Sequence, residues 1–137
     1  MSKITWLNLR GCLTFLLLCL VACRGDALSE KLSESNAVII TFYDEAGAAV
    51  RTTETSEKNA IRQMARFAAG EPLKPPPCSA SGMMSFMNGK KNATALFFLA
   101  DSCRYFTINM NDSTEHRKMS NEAYDFLQAL STGKNYY

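Results

Sequence analysis

The chain reads as an α+β protein: a small antiparallel sheet of about five strands, in the order ββαβββα, with two helices packed on one face. Three observations predict this class. Stretches that read as strands recur over residues 37–44, 49–55, 79–88, 93–100 and 104–111, separated by turn residues, and the first, AVIITFYD, is rich in β-branched and aromatic residues. Two other stretches place apolar residues at helical spacing: Ile61, Met64, Ala65 and Ala68, then Ala123, Phe126, Leu127 and Leu130. The strand-forming stretches come in runs rather than alternating singly with helices, which suits an antiparallel sheet with helices on one side.

The first residues carry Lys3 and Arg10 and no acid, and an uncharged, mostly apolar run follows from Gly11 to Cys23. A positive start, a short greasy middle and small residues before a cut describe a secretory signal. The run is shorter than the ~20 apolar residues that span a bilayer. Its end, Leu20-Val21-Ala22-Cys23, resembles the substrates of the bacterial lipoprotein signal peptidase. The resemblance implies a signal peptide over residues 1–22 and diacylglyceryl transfer to the Cys23 thiol. It further implies cleavage before Cys23 and acylation of the new amino group. Three acyl chains would hold the protein on a membrane effectively permanently, whereas one chain binds only marginally. Arg24, rather than Asp, follows the cysteine. In Gram-negative bacteria this resembles cargo sorted to the outer membrane, facing the periplasm. The alternative is an ordinary signal cut nearby, leaving Cys23 a spare thiol.

Of 15 basic residues, Lys3 and Arg10 precede the cut, leaving 13 against 13 acidic ones. A neutral mature chain lacks the basic face that nucleic-acid binding demands. Cys12 and Cys19 also leave with the signal. Cys78 and Cys103 remain, and an even pair in an exported domain reads as a disulfide.

Residues 23–36 are polar and read as a lipidated end and flexible tether, with a short helix carrying Leu28 and Leu32 on one side as the alternative. The single exported domain is expected over 37–137. Ala37 to Asp44 (AVIITFYD) is the first strand, and Asp44-Glu45-Ala46-Gly47 the turn. Ala49 to Thr55 returns as the second, with Val50 on the inner face by alternation. Ser56 is the expected cap of a helix that runs to Ala69 and stops at Gly70. Arg62 and Arg66 lie one turn apart on it, as an anion clamp or a solvated flank. Pro75-Pro76-Pro77 is an extended connection that aims Cys78 into the sheet.

Ser79 to Asn88 and Ala93 to Ala100 read as a hairpin around Gly89-Lys90-Lys91-Asn92. Centring it between Lys90 and Lys91 places Met84 opposite Phe97, Met83 opposite Phe98 and Cys78 opposite Cys103. Arg104 to Asn111 (RYFTINMN) alternates, with Phe106, Ile108 and Met110 on one face and Tyr105, Thr107 and Asn109 on the other. After a turn at Asn111-Asp112-Ser113, a polar loop holds His116, the only histidine. Ser120 caps a last helix that Gly133 ends.

Nothing in this order spells out an enzyme. His116 with Asp112, Glu115 or Glu122 falls short of the three or four ligands of a stable metal site, so no metal and no cofactor are expected. Cys78 and Cys103 lack the Cys-x-x-Cys spacing of a redox pair. No glycine-rich phosphate loop or nucleophile elbow appears. One feature points outward: Met83, Met87, Leu96 and Phe98 lie on the sheet face that two helices leave uncovered, with Tyr105 and Thr107 as polar neighbours. Such a patch suits a protein partner in the envelope, unless the proline segment, the tether or a dimer mate covers it. The expected function is therefore a non-enzymatic, membrane-anchored binding module of inhibitor, immunity or assembly-accessory type. A small-ligand or cell-wall binding domain is the alternative, with Arg62, Arg66 or Arg104 orienting an anion.

Overall fold

The computed structural model describes residues 27–89 and 91–134. The expected signal, the Leu20–Cys23 box and the expected lipidation of Cys23 lie outside these residues. The described chain runs α1 (Ala27–Ser33), β1 (Ala37–Tyr43), β2 (Ala49–Thr55), α2 (Lys58–Ala68), β3 (Gly82–Asn88), β4 (Lys91–Phe98), β5 (Tyr105–Met110), β6 (Ser113–Lys118) and α3 (Asn121–Ser131). The α+β class holds, but with six strands and three helices among the described residues rather than five and two. All strand pairs are antiparallel, and the sheet order is β2-β1-β3-β4-β5-β6. No described helix is long and apolar enough to cross a membrane.

The two additions have physical reasons. Residues 27–33 form a helix, not a tether, because Leu28 and Leu32, one turn apart, are both buried in the core. β6 (STEHRK) has no apolar alternation to betray it. It is an edge strand held by the β5 ladder, and its outer edge is paired in turn: Lys118 N donates to Glu71 O at 2.7 Å and Leu73 N to His116 O at 3.1 Å. Gly70 makes this approach feasible, since a Cβ there would sit 2.1 Å from the Lys118 carbonyl oxygen. Arg117 closes the same corner by donating to Gly70 O at 3.0 Å and to Glu115 at 2.7 Å.

One sheet face carries Val38, Ile40, Phe42, Met84, Phe86, Ala95, Phe97, Phe106 and Ile108, and these pack with the inner sides of all three helices. Their period-two burial follows the strand alternation. Helix α2 buries Ala60, Ile61, Met64, Ala65, Phe67 and Ala68, and α3 buries Ala123, Phe126 and Leu127. Ser120 caps α3 as expected, accepting from Ala123 N at 3.1 Å. Ser56 does not cap α2: the N-cap is Glu57, with no side-chain bond.

Val50 is not on the inner face. A bulge between Phe42 and Tyr43 skips it in the β1–β2 ladder, and it is 63% exposed. The neighbouring Arg51 takes up a tertiary contact instead, donating to Leu130 O at 3.1 Å at the C-terminal end of α3.

The central hairpin is centred one residue earlier than the sequence expectation, which shifts each cross-strand partner by two. Asn88 pairs with Lys91, so the connection has two residues and the centre lies between Gly89 and Lys90. Gly89 supplies the positive φ, +56°, that a tight hairpin needs. Met83 therefore faces Leu96, not Phe98, and Met84 faces Ala95, not Phe97. A shift of two leaves every side chain on its expected face.

The disulfide nonetheless forms. Cys78 and Cys103 are bonded with Cα atoms 6.3 Å apart, outside the β3–β4 ladder, joining the segments that enter β3 and leave β4. The loop-entropy model gives this closure about 3.5 kcal/mol. Reduction, or the double change Cys78→Ser and Cys103→Ser, is expected to cost about 2–4 kcal/mol in a denaturant titration. The refolded sheet should persist, because the six-strand core does not run through the bridge.

Candidate functional site

Among the described residues no helix or strand lies over the face opposite the helices. The ladder registers align one straight row across all six strands: Thr52, Thr41, Met83, Leu96, Thr107 and His116. A second row runs Glu54, Ile39, Ser85, Thr94, Asn109 and Thr114, and Met87 extends it towards the hairpin end. The inner strands thus mix apolar and hydroxyl side chains: Met83 and Leu96 are cross-strand neighbours, Ile39 and Met87 lie nearer the hairpin end, and Ser85 and Thr94 stand between them. Charges on this face stand on the outermost strands, Glu54 on β2 and Lys118 on β6. The four apolar side chains are half-buried, each shielded by its cross-strand neighbours.

His116 lies on β6 rather than in a loop. Its Nδ1 is 3.0 Å from the Thr107 hydroxyl, its cross-strand neighbour in the row. Thr114 likewise donates to Asn109 Oδ1 at 2.9 Å. Thr107 is therefore a partner of His116 as well as an element of the face.

Phe98 and Tyr105 do not share that exposure. They lie on the expected face but are only 6% and 4% accessible, beneath the segment that precedes β3. Their rings stack at 4.1 Å, Leu73, Cys78, Ala80 and Leu96 pack around them, and the disulfide fastens the lid. The Tyr105 hydroxyl donates to Pro76 O at 3.0 Å. The proline run is thus the cover of one end of the sheet, and the patch shrinks to Ile39, Met83, Met87 and Leu96.

Burial raises the Tyr105 phenol above its ordinary value of 10.0. The neutral form is the one the fold holds, so its contribution is complete below pH 10 and is lost as pH rises through the raised value. Tyr105→Phe should cost about 1 kcal/mol at pH 7 through the lost bond to Pro76. That difference between wild type and variant should shrink above pH 10 in parallel thermal melts.

Depressions lie on the helix side too. One is a cleft of about 450 Å³ between α1 and the ends of the β3–β4 and β5–β6 hairpins. Its floor is Leu32, Phe86, Ala93 and Met110, and its rim holds Lys31, Glu34, Asn88, Asn92, Asn111 and Asp112. Another is a shallow groove between α1 and α2, lined by Ser29, Ser33, Asn59, Arg62 and Arg66. Arg104 joins neither. It lies over the Tyr124 ring at 3.6 Å and reaches Asp101 at 3.4 Å, which ties the β4–β5 turn to α3. Among the described residues no three His, Cys, Asp or Glu side chains are grouped to hold a metal ion.

No protein-family model matches the chain, and no curated protein or solved structure is significantly similar to it.

Proposed function

We propose that the chain is an envelope lipoprotein, acylated at Cys23, whose domain captures a protein partner on the uncovered face of its sheet without catalysing a reaction. The observation that supports this reading is the arrangement of that face. Methionine, leucine and isoleucine are interleaved with hydroxyl groups on its inner strands, and charge is confined to its two outermost strands. Protein interfaces are organised in the same way, with charge depleted from the centre and methionine enriched there. Methionine adapts its shape to irregular partners, so Met83 and Met87 suit the role of anchors.

The test uses a photo-crosslinking residue at Leu96 in the full-length, membrane-anchored protein, with one at Gln63 on α2 as reference. An adduct of defined mass is expected from Leu96 and not from Gln63. Met83→Asp should reduce that adduct at least tenfold while changing stability by less than about 1 kcal/mol, because Met83 is half-buried beside solvent. Adducts from Gln63 alone would contradict the reading.

The cleft beside α1 favours a second reading, a small polar ligand over an apolar floor. Its Asn and Asp rim on a hydrophobic base is the usual make-up of such sites. A ligand-dependent rise in melting temperature without any crosslinked partner would select it.

A further inference from the structure

We infer that the groove between α1 and α2 seats the phosphate of an anionic phospholipid headgroup, and that it holds the helix layer against the membrane with the bare sheet face pointing away. The inference rests on the proposed acylation of Cys23. Three residues, Arg24, Gly25 and Asp26, separate that cysteine from the start of α1 at Ala27. Four Cα–Cα steps reach at most about 14 Å, so α1 begins within about two Debye lengths of the headgroup plane. The groove is therefore one of the parts of the domain that the anchor brings closest to the lipid.

Its chemistry fits a phosphate. Arg62 and Arg66 stand one turn apart and exposed on α2, and Lys58 continues the same stripe one turn earlier. Helix α2 itself (KNAIRQMARFA) contains no acid. Ser29, Ser33 and Asn59 complete the lining, and neither Glu30 of α1 nor Glu34 just after it takes part in it. Ser33 spends its hydroxyl proton on the Ser29 and Glu30 carbonyls, which leaves the two guanidiniums, the Ser29 hydroxyl and the Asn59 amide facing the groove. Guanidinium groups hold phosphate oxygens through paired N–H donors, and a pair spaced by one helical turn can flank a single phosphate. The helices lie on one side of the sheet and the Met83–Leu96 row on the other, so a helix layer laid on the lipid turns the partner face outward.

Arginine-selective chemical modification, read by mass spectrometry on the full acylated chain in vesicles, tests this. One vesicle set contains phosphatidylglycerol in phosphatidylcholine; the other is phosphatidylcholine alone, with and without inorganic phosphate. Each basic residue near an anionic surface contributes roughly a fivefold preference. Arg62 and Arg66 are therefore expected to react about fivefold more slowly in the phosphatidylglycerol set than on neutral vesicles, and high salt should remove the protection. Equal reactivity in both sets, with the chain still sedimenting with the vesicles, would overturn the groove and leave the anchor standing. Protection by inorganic phosphate on neutral vesicles equal to that by phosphatidylglycerol would overturn the lipid as its occupant. A chain that fails to sediment with either set would sink the anchorage, and the inference with it.

Discussion

Gly82→Val unfolds the domain or costs it at least about 4 kcal/mol, the largest effect expected of any single change here. Gly82 opens β3 between Phe42 of β1 and Phe97 of β4, its two ladder partners. Those rings meet edge to face at 5.4 Å across the strand. A Cβ at residue 82 would lie 2.2 Å from the Phe97 ring and 2.4 Å from the Thr41 carbonyl oxygen. The ring has no room to leave, because Phe97 is fully buried, and the carbonyl belongs to the neighbouring strand. Overpacking of this kind forces backbone shifts that ordinarily cost about 1–3 kcal/mol, and the second, backbone clash adds to it. Even Gly82→Ala should lower the denaturation midpoint measurably. A Gly82→Val protein with the melting temperature of the parent would mean that the two rings do not meet over the strand.

Phe98→Asp is the second large effect, and it acts on folding rather than on recognition. Phe98 is 6% accessible, stacked on Tyr105 and roofed by residues 73–80. Removing the ring alone costs about 3–5 kcal/mol in a well-packed site. An aspartate placed there must either stay charged without a partner or take up a proton, and both add to the loss. The variant should expose the Cys78–Cys103 segment to proteolysis and melt early at pH 7. Acidification towards pH 4 should return part of the loss, since a protonated carboxyl is cheaper to bury. A Phe98→Asp protein as stable as the parent would place Phe98 in solvent and return it to the proposed partner face. The contrast with Met83→Asp, which should spare folding, separates the lidded end of the sheet from its open centre.

Much of the fold was legible because the core writes itself as alternation. Strands β1, β3, β4 and β5 and helices α2 and α3 all carry a clear period, and Ser120 and Gly47 sit where caps and turns need them. What stayed hidden lacks that signal. Helix α1 shows two leucines in seven residues, and only packing against α2 and the sheet makes it a helix. Strand β6 is polar throughout, so its β5 ladder and the bond from Lys118 to Glu71 define it, not its composition. The hairpin centre was displaced because Gly89-Lys90-Lys91-Asn92 offers more than one place to turn, and only the ladder selects the two-residue connection. The bulge at Phe42–Tyr43 left no mark in the sequence, so alternation misplaced Val50.

The candidate face was legible in part for the same reason. Parity put Met83, Met87, Leu96, Phe98, Tyr105 and Thr107 on one side of the sheet, and the registers agree. Parity carries no information about a lid. The bond from Tyr105 to Pro76 joins residues 29 positions apart, and it decides that Phe98 and Tyr105 are interior. The row that ends in His116 was invisible because β6 was.

The claim on which location, orientation and partner all depend is that the cell cuts this chain before Cys23 and fastens it by acyl groups on that residue. Intact-mass measurement of the full-length protein, purified from the membranes of the cells that make it, tests it most directly. The expected mass is that of residues 23–137 with one disulfide, plus a diacylglyceryl group and an amide-linked acyl chain. A mass that retains Met1, or one that begins at another residue with an unmodified Cys23, contradicts the account.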